Sequence, residues 1–228
     1  MRTDSPPPPA TLYYVDVRKL VPAALFLPFL CIAALDAANP PVAARPVIVC
    51  YGDSITAGRG LAPGEAYPGF LQKKLDAQGY QYEVVNQGTS GATTKDALAR
   101  LPFVLRLHPA IVIVEFGGND GLRGLPVEET HNNLDQLLSI LEKAHVKIVF
   151  AGITLPPDYG PDYIHSFQQI FRDLAAQHHL AFVPMLYQNL VHVPGTIQDD
   201  GIHPTAKGSA IIADTLLPVL KPLLRKGP

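Results

Sequence analysis

Four short blocks carry residue types that could carry out acyl transfer together. They are Gly52-Asp53-Ser54-Ile55-Thr56-Ala57-Gly58, Gln87-Gly88-Thr89-Ser90-Gly91, Gly117-Gly118-Asn119-Asp120 and Asp199-Asp200-Gly201-Ile202-His203-Pro204. A serine hydroxyl is a poor nucleophile until a base takes its proton, and histidine is the usual base. Ser54, flanked by glycines that allow a sharp turn, can project its hydroxyl, and His203 can serve as its base. The histidine in turn needs a carboxylate to fix its tautomer and stabilise the imidazolium. Asp200 stands three residues before His203, near enough for one short loop to supply both, with Asp199 as the alternative acid. A tetrahedral intermediate also needs donors aimed at its oxyanion. The loop around Gly88 can offer backbone N–H groups, and Asn119 a side-chain amide.

Each block has an ordinary reading when taken singly. Gly-Asp-Ser is common in turns, Gly-Gly-Asn-Asp can be a turn and no more, and Asp-Gly is a frequent turn pair. His-Pro only biases His203 towards an extended backbone. Asp53 is expected to cap the turn that follows it, and Asp120 to brace its loop. His131, His145, His165, His178, His179 and His192 fall in helical or loop stretches and read as surface residues. The case for chemistry is that the four blocks fall at loops where a sheet would bring them together.

Apolar runs without a period of two mark strands covered on both faces. Val47 to Tyr51 is such a run, and Tyr82 to Asn86, Ala110 to Phe116, Val146 to Phe150 and Leu180 to Val183 read as the further strands. Helical spacing fills the gaps, with Leu98, Leu101 and Leu105, then Leu134, Leu137, Leu138 and Leu141. Further helices are expected from Ile164 to His178 and from Thr205 to Leu217, the latter ended or kinked by Pro218. Strands alternating with helices imply right-handed crossovers and a parallel sheet with helices on both faces. In such an α/β protein the active site lies beyond the carboxyl ends of the strands, where the blocks begin.

Taken together, the blocks resemble the SGNH, or GDSL, hydrolase family at Ser54, Gly88, Asn119 and His203, with the Asp-x-x-His spacing met by Asp200 and His203. The likeness runs from Pro46 to Leu224. Gly117 to Gly124, Gln198 to Pro204 and Leu155-Pro156-Pro157-Asp158-Tyr159-Gly160 are similar to the bacterial periplasmic thioesterase, lysophospholipase and arylesterase subgroup. The resemblance implies a three-layer, flavodoxin-like sandwich with a five-stranded parallel sheet of order 2-1-3-4-5. It also implies an oxyanion hole built from the Ser54 and Gly88 N–H groups and the Asn119 amide.

The chain has 228 residues, 47% of them hydrophobic and 17% charged, as suits one globular domain. A net charge of −2 gives no broad basic surface, so nucleic acid is not an expected partner. The first 45 residues differ from the rest. Pro6-Pro7-Pro8-Pro9 is extended. Arg18-Lys19, the uncharged stretch from Leu20 to Leu35 and small residues from Ala37 to Ala44 then follow the order of a secretory signal. The apolar stretch is short for a membrane span, and Pro22 and Pro28 interrupt it. Residues 1–44 therefore read as a leader cleaved after Ala44, and residues 45–228 as the catalytic domain. The protein is expected to be exported, periplasmic or secreted, with an uncleaved inner-membrane anchor as the alternative. Cys31 follows Leu30 rather than a small residue, which argues against a lipoprotein signal. Once the leader is removed, Cys50 has no internal disulfide partner.

These readings converge on a serine esterase or thioesterase acting on acyl substrates through an acyl-Ser54 intermediate, with no metal or organic cofactor. Leu122, Leu125, Leu155, Pro156 and Tyr159 lie on loops that could wall an acyl-binding groove. Transient contact with lipid surfaces is expected, and no obligate protein partner. Carbohydrate O-acetyl esterase is the alternative reaction, although the apolar loop residues argue against it. A non-catalytic nucleotide-binding module would want Gly-x-Gly-x-x-Gly after the first strand, and Gly52 to Ala57 lacks it.

Overall fold

The computed structural model describes residues 44–190 and 192–226, so the expected leader lies, apart from Ala44, outside the described residues. Five strands form one parallel sheet in the order β2-β1-β3-β4-β5. They are β1 (Val47–Gly52), β2 (Glu83–Asn86), β3 (Ile111–Glu115), β4 (Lys147–Ala151) and β5 (Ala181–Val183). Each falls within about one residue of the apolar run that announced it.

Side chains alternate across the sheet, and both faces are buried. Val49, Tyr51, Val112, Val114, Ile148 and Phe150 pack against α3 (Thr94–Leu105), α5 (Val127–Lys143) and α6 (Pro161–Gln177). Ile48, Cys50, Ile111, Ile113, Val149 and Ala151 face α2 (Tyr67–Ala77) and α7 (Ala206–Leu220). This is the three-layer α/β sandwich of the expected strand order. The leucine stripe of α5 is shut off from solvent at Leu134, Leu137, Leu138 and Leu141. Truncating any one of these to alanine would cost about 2–5 kcal/mol.

Two helical assignments differ from the sequence reading. α2 is not among the helices expected above. Pro68 lies within the first turn, where its missing N–H is no loss, and Tyr67, Leu71 and Leu75 then form the buried stripe. α7 was expected to end or kink at Pro218, yet it runs to Leu220. Buried Leu216, Leu217 and Leu220 hold that last turn on the sheet, so packing outweighs the one hydrogen bond that proline removes. Short helical turns α1 (Ser54–Ala57) and α4 (Gly118–Leu122) follow β1 and β3 directly. The strand order reverses between those two strands, so their loops flank the crevice where such sheets bind ligands.

Candidate active site

At Gly52 the chain leaves β1 and turns at once into α1. Asp53 caps that turn, its Oδ1 accepting the Ile55 N–H at 3.0 Å, as its position predicted. Ser54 is the first residue of α1, where helix geometry offers its own N–H no carbonyl. Gly52 has to be glycine, because a Cβ there would run into Thr56 Oγ1 and Glu115 Oε2.

The far side of the site comes from the loop before α7. An antiparallel bridge between Ile197 and Pro204 and a 2.8 Å bond from Gln198 N–H to the His203 carbonyl close this loop on itself. Gln198 Nε2 then donates to the carbonyls of Arg59 and Pro204, each at 2.8 Å, and so ties the histidine loop to the segment after α1.

These supports bring His203 Nε2 to 2.9 Å from Ser54 Oγ and His203 Nδ1 to 2.6 Å from Asp200 Oδ2. Asp200 Oδ1 accepts the N–H groups of His203 and Ile202, both at 2.9 Å. Those backbone donors, that of His203 foremost, hold the Asp200 carboxyl down at about 2. An ionised carboxylate only accepts, so Nδ1 carries the imidazole proton and Nε2 turns its lone pair to the serine. Asp199 makes no hydrogen bond to His203 among the described residues.

Of the expected oxyanion donors, Ser54 and Asn119 meet in the crevice, while Gly88 sits to one side. Gly88 packs so close to Thr56 and Ala57 that no Cβ would fit, and its N–H donates to Asn86 Oδ1 at 2.9 Å. Asn119 Nδ2 is also occupied, donating to Asp53 Oδ2 at 3.1 Å and to the Ala92 carbonyl at 3.0 Å. Asp120 braces its loop as expected, bonding the Thr94 N–H and hydroxyl.

Behind Ser54 lies a residue that was not singled out above. Glu115, paired with Gly52 at the end of β3, is fully buried. Its Oε2 accepts from the Thr56 hydroxyl at 2.7 Å and the Asp53 N–H at 3.3 Å, and its Oε1 has no partner among the described residues. Burial, with the Asp53 charge beside it, pushes its carboxyl well above the usual range. Burial likewise raises Asp53, to about 6. The only sequence sign was an acid ending an otherwise wholly apolar run.

The serine and histidine open onto a groove of about 440 Å³. Leu122, Leu155 and Pro156, three of the five residues expected to wall a groove, line it. Leu125 and Tyr159 do not. The Tyr159 hydroxyl donates to the Leu122 carbonyl at 2.7 Å, and the Leu125 carbonyl accepts from Tyr163, so both residues support the wall from behind. Ile153, Leu186, Tyr187 and Ile202 line the groove without having been singled out. Among the histidines read as surface residues, His178 departs from expectation. Its ring is 6% exposed and lies between Asp135 and Glu142 of α5, at 2.8 and 3.0 Å.

A serine bonded to imidazole, itself bonded to a carboxylate at the carboxyl edge of a doubly wound sheet, is the arrangement of a serine hydrolase. Residues 50–211 match the GDSL-like Lipase/Acylhydrolase family, and the chain belongs to it. It is 40% identical to Esterase TesA of Pseudomonas aeruginosa over 183 residues, covering 80% of this chain and 91% of that one. It is 36% identical to Thioesterase 1/protease 1/lysophospholipase L1 of Escherichia coli K12 over 199 residues, 87% of this chain and 93% of that one. The crystal structure of TesA superposes with a TM-score of 0.75 at 40% identity, covering 78% of this chain and 99% of that one.

Proposed function

We propose that this protein is an SGNH serine hydrolase that cleaves carboxylic ester and thioester bonds of acyl substrates. Ser54 is the nucleophile, His203 the general base and then acid, and Asp200 the group that orients it. Ser54 Oγ attacks the acyl carbon while its proton moves to His203 Nε2. The tetrahedral intermediate collapses as His203 returns that proton to the departing alcohol or thiol. Water, deprotonated by the same nitrogen, then releases the acid from acyl-Ser54. The Ser54 N–H and the Asn119 amide stabilise the oxyanion, and Gly88 joins them if its bond to Asn86 yields.

The 2.9 Å contact between His203 Nε2 and Ser54 Oγ carries this reading. The apolar wall of Leu122, Ile153, Leu155 and Pro156 favours acyl chains over acetylated sugars. Family membership and the relatives named esterase and thioesterase point the same way. Export rests on the sequence of residues 1–44, which carries the basic, apolar and small segments of a secretory signal.

A fluorophosphonate probe tests the nucleophile. It should label Ser54 once per chain, and Ser54→Ala should lose both labelling and hydrolysis. An active alanine variant labelled at another serine overturns the assignment. Aryl esters of increasing acyl length should be cleaved with rising kcat/KM until the groove is filled, because each buried methylene is worth about 0.8 kcal/mol. Strict preference for acetyl groups supports the carbohydrate-esterase reading instead.

A further inference from the structure

Asp53 and Glu115 form a carboxyl pair with no lysine or arginine countercharge among the described residues. Asp53 is 2% exposed and Glu115 wholly buried. The groups that face them are Tyr67 from α2, with Cys50 of β1 beside it, Tyr187 from the loop after β5, Asp120 from α4 and His203. Tyr67 reaches the pair through its hydroxyl, 3.0 Å from Thr56 Oγ1. Two adjoining carboxylates in so dry a place cannot both ionise.

The hydrogen bonds decide which of them keeps the proton. Both oxygens of Asp53 accept N–H donors, Oδ1 from Ile55 and Oδ2 from Asn119, which favours its charged form. Glu115 has donors on Oε2 alone, and an ionised Oε1 would be a buried charge without a partner. A proton on Oε1 replaces that charge with an unpaired hydroxyl, which costs far less in a dry site.

We propose that Glu115 and Asp53 hold one proton between them, Glu115 as the neutral acid and Asp53 as the anion, and that this makes Glu115 a positioning residue for Asn119. Glu115 touches no reacting atom. It fixes the Asp53 backbone and the Thr56 hydroxyl, and by staying neutral it leaves the single negative charge on the carboxylate that receives Asn119 Nδ2. The amide is thereby held with its nitrogen towards the nucleophile loop, since an acceptor-only carboxylate rejects the flipped amide.

The proton is tested by stability, which does not depend on Ser54 being the nucleophile. The folded protein keeps a proton on Glu115 that the unfolded chain has lost above about pH 4.3, so stability falls as pH rises through that window. Glu115→Gln is a permanent mimic of the neutral acid. The wild-type unfolding constant, divided by that of E115Q, should rise by about tenfold per unit between about pH 6.5 and 8. A flat ratio overturns the proposal. If E115Q does not fold, infrared spectroscopy of the wild-type protein at about pH 8 replaces it, and absence of any protonated-carboxyl stretch is equally fatal.

The positioning role rests on the proposed reaction and is read in the kinetics. Glu115→Leu should lower kcat with KM little changed. E115Q should recover about fivefold over E115L, the worth of a neutral hydrogen bond. Equal kcat in the two variants refutes positioning. A wrong nucleophile shows itself separately, because wild type and variants alike then fail to label at Ser54 while the unfolding ratio stays readable.

Discussion

Asn119 Nδ2 lies 3.1 Å from Asp53 Oδ2, so the amide expected to meet an oxyanion rests on the carboxylate beside the nucleophile. Its second proton is on the Ala92 carbonyl at 3.0 Å. Stabilising an oxyanion therefore means sharing or exchanging one of these bonds, and the gain is a difference between two acceptors. Because the oxyanion exists mainly in the transition state, Asn119→Ala should lower kcat while leaving KM nearly unchanged. The expected loss is about 10²–10³, measured with an aryl ester at saturation. A rise in KM at constant kcat would mean that Asn119 binds the ground state.

Asp200 acts through His203, holding its Nδ1 proton at 2.6 Å. Asp200→Asn should preserve the fold and reduce kcat by about 10⁴, because the amide admits the wrong tautomer. Asp199→Asn should leave kcat close to wild type. The wild-type carboxyl is held down at about 2 by backbone donors, so Asp200 stays ionised throughout the neutral and mildly acid range. Any loss of activity near about pH 5 must then arise from another group. If Asp199→Asn proves the crippling variant, the acid has been assigned one residue late.

Gln198 ties the histidine loop to the serine side through the Arg59 carbonyl. Gln198→Leu removes that bond and the one to Pro204, each worth about 1 kcal/mol. Thermal unfolding should drop by roughly 2–4 °C per kcal/mol lost. The rate of fluorophosphonate labelling should drop as well, since His203 is no longer held against Ser54. A variant with a lower Tm and an unchanged labelling rate would make Gln198 purely structural.

His178 offers a test away from the site. Burial of the ring opposes its charged form, but the bonds to Glu142 and Asp135 outweigh it and raise its pKa. A raised histidine stabilises fully below the unfolded value of about 6.5, and that stability is lost as pH climbs through the folded one. His178→Ala should therefore destabilise more at about pH 6 than at about pH 8 in urea unfolding. An equal loss at both would assign His178 a packing role alone.

β1, β3 and β4 were legible because each is an apolar run buried on both faces, whereas β2 and β5 are short, only partly buried and legible from their place between helices. The residues of the triad were legible because three chemical types recur at fixed places behind strands. The supports were not. Glu115 looks like the end of an apolar run, and its meaning arises only when β3 lies against β1 and brings it to Gly52 and Asp53. Gln198 looks like any polar loop residue until the chain folds Arg59 beside it. Leu125 and Tyr159 share the loop polarity of true wall residues, and only side-chain direction separates the wall from its backing. α2 was hidden because Pro68-Gly69 speaks for a turn locally, whereas Tyr67, Leu71 and Leu75 speak for a helix over a longer range.

The space that a Cβ at Gly52 would occupy is already filled by the Glu115 carboxyl and the Thr56 hydroxyl. Positions 52 and 115 are thus bound to one another in sequence space as well as in the sheet. A library that varies residue 52 alone will return glycine, because even alanine meets the buried acid. Shortening Glu115 alone would not admit that methyl, because the Thr56 hydroxyl and the Glu115 backbone carbonyl stand in the same space. Position 52 therefore answers to the β3 backbone as well as to two side chains, and no substitution at position 115 frees it by itself.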